Sequence, residues 1–224
     1  MPYTLPYTAL VTPAEVQEAA TGGVRVDATG QAELVGRAIE AVTEQIEGYL
    51  NRQLIVRSYR QRLITTDYRQ PSLLALDGDT YAAPLLAWPA VEIVTASTGL
   101  EIYDDGRFVV TTAGAGHVAY DGTVTYFAGY RRADQTLETL QTVFPTLTVL
   151  PEQLPGDIRD FAVDAVLARL NERSVGVGLS DTEIDAGAST LRRRGVTSRW
   201  SGGRLGSWWD ANVVRIHKHR HFTA

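Results

Sequence analysis

The chain has 224 residues, of which 44% are hydrophobic and 21% are charged. These values are typical of a globular protein with a buried core and exclude wholesale disorder. The absence of cysteine excludes disulfide bonds, thiolate metal sites and cysteine nucleophiles. No run approaches the length of a membrane span, and the first residues lack the basic and apolar regions of a signal peptide, so we expect a soluble intracellular protein.

Two amphipathic helices are predicted in the first quarter of the chain. Thr12, Pro13 and Glu15 have the pattern of a capping box and predict a short helix near 13–20. Apolar residues at three- and four-residue spacing predict a longer helix over 31–51.

From about residue 54 to residue 130 the chain is rich in Val, Ile, Thr and Tyr, with turn residues at regular intervals. This composition predicts five or six antiparallel strands, with Asp104-Asp105-Gly106 as a hairpin turn. Helical patterns return at 134–144 and 156–173.

The predicted fold class is therefore α+β: a small helical bundle with an inserted antiparallel β-domain and an extended C-terminal arm. The expected boundaries are 1–53 for the N-terminal helices, 54–133 for the β-domain, 134–175 for the C-terminal helices and 176–224 for the arm.

The net charge of −5 is unevenly distributed along the chain. Residues 174–224 have eight Arg or Lys against four acidic residues, a net charge of +4, whereas the preceding part has a net charge of −9. Such a division indicates two surfaces with different partners.

No catalytic motif stands out. The glycine-containing stretches GVGLSD and GAGH do not join a clear strand to a clear helix, as a phosphate loop would. An enzyme would need a carboxylate pair such as Asp77 with Asp79, or Asp104 with Asp105, but both pairs flank glycine in turns, where acids are common. We expect no enzymatic activity and no cofactor.

The last stretch ends in three alternating histidines, His217, His219 and His221. On a strand they would share one face, as metal ligands do, but Lys218 and Arg220 between them would repel a cation. We therefore expect no metal site.

The basic C-terminal stretch allows two interpretations. Its arginines and tryptophans could bind nucleic acid, because Arg neutralises phosphates and Trp stacks on bases. Alternatively, Trp200, Trp208 and Trp209 indicate a segment that docks on another protein, because Trp and Arg are enriched in interface hot spots. The alternating residues 213–217 could then add a β-strand to that partner.

Four motifs resemble those of head-to-tail connector (adaptor) proteins of tailed bacteriophages and related phage-like particles. In order along residues 12–173 they are LVGRAIEAVTEQIEGYLNRQLIVRSYRQRL, a helix that runs through a turn into a first strand; PLLAWPAVEIVTAS, a strand pair; VTYFAGY, a strand; and LPGDIRDFAVDAVLARLNER, a helix. The C-terminal stretch lies outside this match.

The resemblance implies a non-enzymatic protein that forms a ring, commonly of twelve copies, under the portal. It implies contacts with the portal protein and with a tail or stopper protein, and passage of genomic DNA through the ring without specific binding. The location would be the head-tail interface of the virion, with assembly in the host cytoplasm and no membrane partner.

The resemblance also gives roles to two sets of residues. The portal-docking arm would use Arg192, Arg193, Arg194, Arg199, Trp200, Arg204, Trp208, Trp209, Val213, Val214, Arg215 and Ile216. The helices that pack in the ring would use Leu34, Val35, Ile39, Val42, Ile46, Ile158, Phe161 and Val166.

Overall fold

The computed structural model describes residues 4–20, 32–64, 74–77, 80–95, 100–103, 105–111, 121–176 and 206–220. The chain divides into two compact units. The helical unit comprises residues 1–52 and 155–224, and the β-unit comprises residues 53–154.

The helices, in chain order, are α1 (Pro13–Ala19), α2 (Ala32–Leu50), α3 (Leu137–Gln141), α4 (Gly156–Gly176) and α5 (Gly206–Asn212), followed by a 3-10 helix (Val213–His219). The strands are β1 (Arg57–Ile64), β2 (Leu74–Asp77), β3 (Thr80–Pro84), β4 (Ala90–Thr95), β5 (Leu100–Tyr103), β6 (Phe108–Thr111) and β7 (Asp121–Ala128).

The start of α1 has the predicted capping box. The Thr12 hydroxyl accepts the Glu15 backbone N–H at 3.2 Å, and the Glu15 carboxylate accepts the Thr12 backbone N–H at 2.7 Å. These two bonds satisfy donors that the first turn of a helix leaves without intrahelical partners.

The helical unit has its core between α2 and α4, and α1 contacts both helices. The apolar stripe of α2 is buried there, as its spacing predicts, and so is the matching stripe of α4. The buried side chains include Val35, Ile39, Val42, Ile46, Leu50, Ile158, Phe161, Ala162 and Val166. The buried hydroxyl of Thr43 accepts the backbone N–H of Leu10 at 3.2 Å, which fixes the chain before α1 against α2.

The β-unit contains two antiparallel sheets. One has the strand order β1-β7-β4 and the other has the order β2-β3-β6-β5. Their apolar core includes Leu85, Ala90, Val109, Val124, Tyr126 and Ala128. Because side chains alternate along a strand, Val124, Tyr126 and Ala128 of the central strand β7 all point to this core.

The predicted hairpin at residues 104–106 is confirmed. Strands β5 and β6 pair with Tyr103 opposite Phe108. The turn residues Asp105 and Gly106 have φ values of 52° and 77°, the left-handed conformation for which Asp-Gly is favoured in tight hairpins.

Residues 134–154, which we expected to complete the helical bundle, belong to the β-unit. Phe144, just after α3, packs on Phe127 of β7 with ring centroids 5.4 Å apart. Two backbone N–H groups, of Thr148 and Val149, donate to the Glu92 carboxylate of β4 at 2.7 and 3.1 Å. These contacts hold the segment on the sheet β1-β7-β4.

The α+β class and the antiparallel β-domain inserted between helices are confirmed. The described residues form seven strands, whereas we expected five or six. In the part of the chain that the structure describes, no helix is both long and apolar enough to cross a membrane.

The end of β7 requires a glycine. Gly129 has a φ of 118°, and a Cβ atom there would lie 2.8 Å from backbone atoms of Leu54, Ile55 and Val56. On either side of this close approach, Val56 N–H donates to Tyr130 O at 2.8 Å and Tyr130 N–H donates to Leu54 O at 2.7 Å.

We predict that Gly129→Ala lowers the free energy of unfolding by at least about 2 kcal/mol, because it adds both strained φ and a backbone clash. Gly48→Ala is the matched control, since nothing lies within 4 Å of a Cβ at that helical position. It should raise stability by about 0.5–1 kcal/mol. Urea unfolding of both variants measures the difference, and equal stabilities would contradict the prediction.

Candidate functional site

The residues Gly206–Arg220, here called the C-terminal segment, contain α5 and the 3-10 helix. They pack on α4, and Trp209 and Ile216 are buried, with 5% and 0% of their surfaces exposed. Residues 213–217, whose alternation could serve as a strand added to a partner, are part of the 3-10 helix in this chain. One helical turn buries Ile216 while Arg215 and Lys218, on either side of it, reach carboxylates of α4.

The centre of this contact is aromatic. The Trp209 ring meets Phe161 of α4 edge-on, with centroids 5.2 Å apart and planes at 74°, and meets Tyr49 of α2 at 6.0 Å and 81°. Trp208 lies against the same Phe161 at 5.4 Å. Edge-to-face pairs of this kind contribute about 0.5–1.5 kcal/mol each beyond the area that they bury.

Ion pairs surround the aromatic centre. The Arg215 guanidinium lies 2.8 Å from the Asp164 carboxylate, and the Lys218 ammonium lies 2.9 Å from Asp157. His219 Nε2 also contacts Asp157, at 2.8 Å. Because these groups are partly exposed, each pair contributes at most about 1 kcal/mol, and burial of Trp209 and Ile216 provides most of the stabilisation.

Asp157 is the carboxylate on which these contacts converge. Partial burial alone would raise its pKa, but hydrogen bonds from His219 and Lys218, and their charges, outweigh burial and hold the pKa below its ordinary value of 3.8. Asp157 also lies in the first turn of α4, where the helix dipole favours a negative charge.

The two described histidines have separate partners. His217 Nδ1 lies 2.7 Å from the Tyr49 hydroxyl, whereas His219 contacts Asp157. Side chains two residues apart on a 3-10 helix point about 120° away from each other, so this helix does not direct both rings to one ligand. His221 lies outside the described residues, and within the described residues no three His, Cys, Asp or Glu side chains are grouped as metal ligands.

The remaining predicted arm residues fall into two groups. Val213 is half-buried, and Val214 is 70% exposed. Outside the described residues lie Arg192, Arg193, Arg194, Arg199, Trp200 and Arg204.

Of the residues predicted to pack in a ring, seven are buried inside the helical unit. They are Val35, Ile39, Val42, Ile46, Ile158, Phe161 and Val166. Leu34 is 37% exposed. The seven side chains therefore pack within one chain, and the role of their helices in contacts between copies stays a prediction.

The residues considered for catalysis are not brought together in the described part of the chain. Asp79, Asp104, the GAGH stretch at 114–117 and most of GVGLSD lie outside it. Asp105 is in the β5-β6 turn and Asp77 ends β2.

The sequence did not indicate which residues of α2 and α4 the C-terminal segment contacts. Tyr49, Asp157 and Asp164 belong to α2 and α4, and the sequence pattern predicts each of them only as a helix residue.

A second unforeseen feature is an open groove of about 450 Å³ between α1 and α4. Its lining includes Glu15, Glu18, Arg159, Asp160 and Asp164. Residues of two helices so far apart in the chain carry no common sequence signal.

Comparisons with known proteins gave two similar solved structures. One chain belongs to the virion of a native gene transfer agent (GTA) particle: it is 19% identical, with 89% of this chain and 95% of that chain covered and a TM-score of 0.41. The other belongs to the neck of an empty GTA particle, computed with C6 symmetry: it is 21% identical, with 90% of this chain and 96% of that chain covered and a TM-score of 0.38. No protein-family model matches the sequence, and no curated protein matches it.

We predict that Ile216→Ala lowers the free energy of unfolding of the helical unit by about 2–5 kcal/mol, because it leaves a cavity under the 3-10 helix. Val214→Ala, two residues earlier and 70% exposed, is the control and should change stability by less than about 0.5 kcal/mol. Chemical unfolding followed by tryptophan fluorescence compares the two. A similar small effect of both substitutions would show that the segment is not packed on α4 in this way.

We also predict that acid weakens the attachment of the C-terminal segment. The pKa of Asp157 is lower in the folded protein than its ordinary 3.8, so its stabilisation is present above that value and is lost as the pH falls through the folded pKa. Asp157→Asn should therefore lower stability at neutral pH and flatten its dependence on pH below about 5.

Unfolding midpoints between pH 3 and pH 6 measure this effect. Asp160→Asn is the control, because that carboxylate lies on the same helix but pairs with its neighbour Arg159. An equal change of slope in both variants would refute the assignment to Asp157.

Proposed function

We propose that this protein is a structural head-to-tail connector of a phage-like particle. It forms a ring under the portal, extends the DNA channel and links the capsid to the tail. The protein is not an enzyme in this proposal, and it acts at the head-tail interface of the virion through contacts with its own copies, the portal and a tail or stopper protein.

The observation that carries the proposal is that three of the four connector-like motifs meet at one place in the β-unit, and the fourth begins beside them. Tyr130, the last residue of the third motif (VTYFAGY), donates its N–H to the Leu54 carbonyl of the first motif at 2.7 Å. Gly129 of the third motif donates its N–H to the Pro89 carbonyl of the second motif (PLLAWPAVEIVTAS) at 2.8 Å. Leu154, which begins the LPGDIRD motif, donates to Arg131 at 2.8 Å.

These bonds join residues that are 23, 40 and 76 positions apart in the chain. Short matches that arise by chance have no reason to contact one another in the folded protein. Their convergence supports the view that they are parts of one structural junction. For this reason we prefer the connector role to other functions that an α+β fold could have.

Three of the motifs have the type of structure that the resemblance implies: the first is α2 followed by β1, the third is β7 and the fourth is α4. The second was predicted as a strand pair, but it contains the one strand β4, because only its first residue, Pro84, belongs to β3 and residues 85–89 are in no strand. The acidic character of residues 1–173 suits a channel, because like charge weakens contacts with passing DNA phosphates.

The alternative, nucleic-acid binding by the C-terminal stretch, is less well supported. Among residues 206–220, Arg215 and Lys218 pair with carboxylates of α4, and the Arg220 guanidinium lies over the Tyr49 ring at 5.3 Å. Trp209 is buried and cannot stack on a base in this arrangement. Phosphate binding would have to replace these contacts.

We predict that the purified protein, mixed with the portal of its own particle, forms a ring with a central pore on the portal in electron micrographs. Many identical contacts around a ring make association stable even if each is weak. The triple substitution Arg192→Ser, Arg193→Ser and Arg194→Ser should weaken portal binding if these residues form the anchor.

Glu33→Ser with Arg37→Ser is the matched control, because it removes an exposed ion pair on α2 and leaves the C-terminal residues unchanged. Absence of any ring with the portal would refute the connector role. Salt-sensitive binding of DNA by the full chain, lost in the triple variant, would favour the alternative.

A further inference from the structure

We propose that the surface of α2 and α4 around Tyr49, Asp157 and Phe161 is a receptor for the C-terminal segment of a neighbouring copy, so that subunits exchange their segments on assembly. This exchange rests on the proposed ring for its setting. The contact itself lies within one chain in the structure.

The contact has the composition of a protein-protein interface. Its centre contains Trp209 and Phe161, both almost fully buried, with Tyr49 beside them. Its rim contains the pairs of Arg215 with Asp164 and Lys218 with Asp157. A desolvated aromatic centre inside a polar, charged rim is the usual arrangement of interface hot spots.

The segment contacts the rest of the helical unit mainly at this surface. Its α5 and 3-10 helix contact α4, and its aromatic and histidine side chains reach Tyr49 near the end of α2. The same receptor residues are present on every copy, so each of these contacts can be made with equal geometry by a segment of another chain.

The length of chain before the segment permits this exchange. The 29 residues 177–205 separate the end of α4 from the start of α5. A chain of that length can span at most about 100 Å, which is about three times the length of α4. Exchange of an identical element between copies is a low-cost route to an oligomer, because it uses contacts that already exist.

Assembly would allow the exchanged contact to compete with the contact inside one chain. A ring holds the receptor of one subunit close to the segment of the next, which raises the effective concentration of the exchanged partner. Each exchanged segment would then tie two neighbouring copies together, with the arginines at 192–194 in the connecting chain.

The test uses the absence of native cysteine, so that introduced thiols are the only ones in the protein. Asp164→Cys and Arg215→Cys are made in separate chains of different mass, because these two side chains are in contact at 2.8 Å. The two variants are mixed, refolded together, assembled on the portal and treated with a short bis-maleimide.

We expect a cross-linked product of one Asp164→Cys chain and one Arg215→Cys chain, in a yield at least about tenfold above that of the control mixture. The control mixture pairs an Arg215→Cys chain with a Glu33→Cys chain. Residue 33 lies about 24 Å from Tyr49 along α2, at a rise of about 1.5 Å per residue, and is therefore far from the contact surface. A chain with both Asp164→Cys and Arg215→Cys confirms that the two thiols can be linked, whether within or between copies.

The outcomes separate this proposal from the connector role. Rings with the mixed product support both, and mixed product without rings supports exchange alone. If the double variant is linked only within single chains and the mixture gives no product above the control, exchange is refuted, whether or not rings form. A double variant that gives no link at all would refute the contact itself.

Discussion

The arrangement of the β-unit depends on the close approach of two backbones at Gly129. A residue with a Cβ would collide there with Leu54, Ile55 and Val56, so the chain that enters the unit and the chain that ends β7 can be joined only at a glycine. Hydrogen bonds of Tyr130 to Leu54 and Val56 then close the junction. Because the first and last strands are tied together, everything between them folds as an insertion with its own core.

The junction also determines the path of the chain after β7. Arg131 pairs with the stretch before α4 through Leu154, and the Arg131 Nε donates to Pro151 O at 3.1 Å. Before α4 begins, the chain therefore returns to the point at which it entered the β-unit. The segment with α3 remains on the β-unit. This is the physical reason why residues 134–154 belong to the β-unit, although we expected their helix to complete the helical bundle.

Local patterns predicted the elements well and the long-range contacts poorly. The capping box at Thr12 and the apolar stripe of α2 are properties of nearby residues, and both could be predicted from the sequence. The Asp105-Gly106 turn is equally local. By contrast, residues 213–217 pack on α4 through burial of Ile216 and through the contact of Arg215 with Asp164, 51 residues earlier. Alternation of apolar and polar residues over only five positions favours a strand, but it does not decide the structure where a neighbouring surface binds the helical form.

Tyr49 is a further residue whose role the sequence does not indicate. Its spacing makes it one more member of the apolar stripe of α2, and no short-range pattern indicates that its hydroxyl contacts His217.

The acids of α4 explain why the C-terminal segment lies in one register. Asp157 and Asp164 are seven residues apart, so they lie on one face of α4 about two turns from each other. Arg215 pairs with the later acid, and Lys218 and His219 pair with the earlier one, so the segment runs antiparallel to the direction of α4. Exposed ion pairs contribute little free energy, but a shift of the segment by one turn would separate both pairs while Trp209 left the Phe161 ring. Aromatic burial therefore supplies the stability of the contact, and the spacing of charges supplies its specificity.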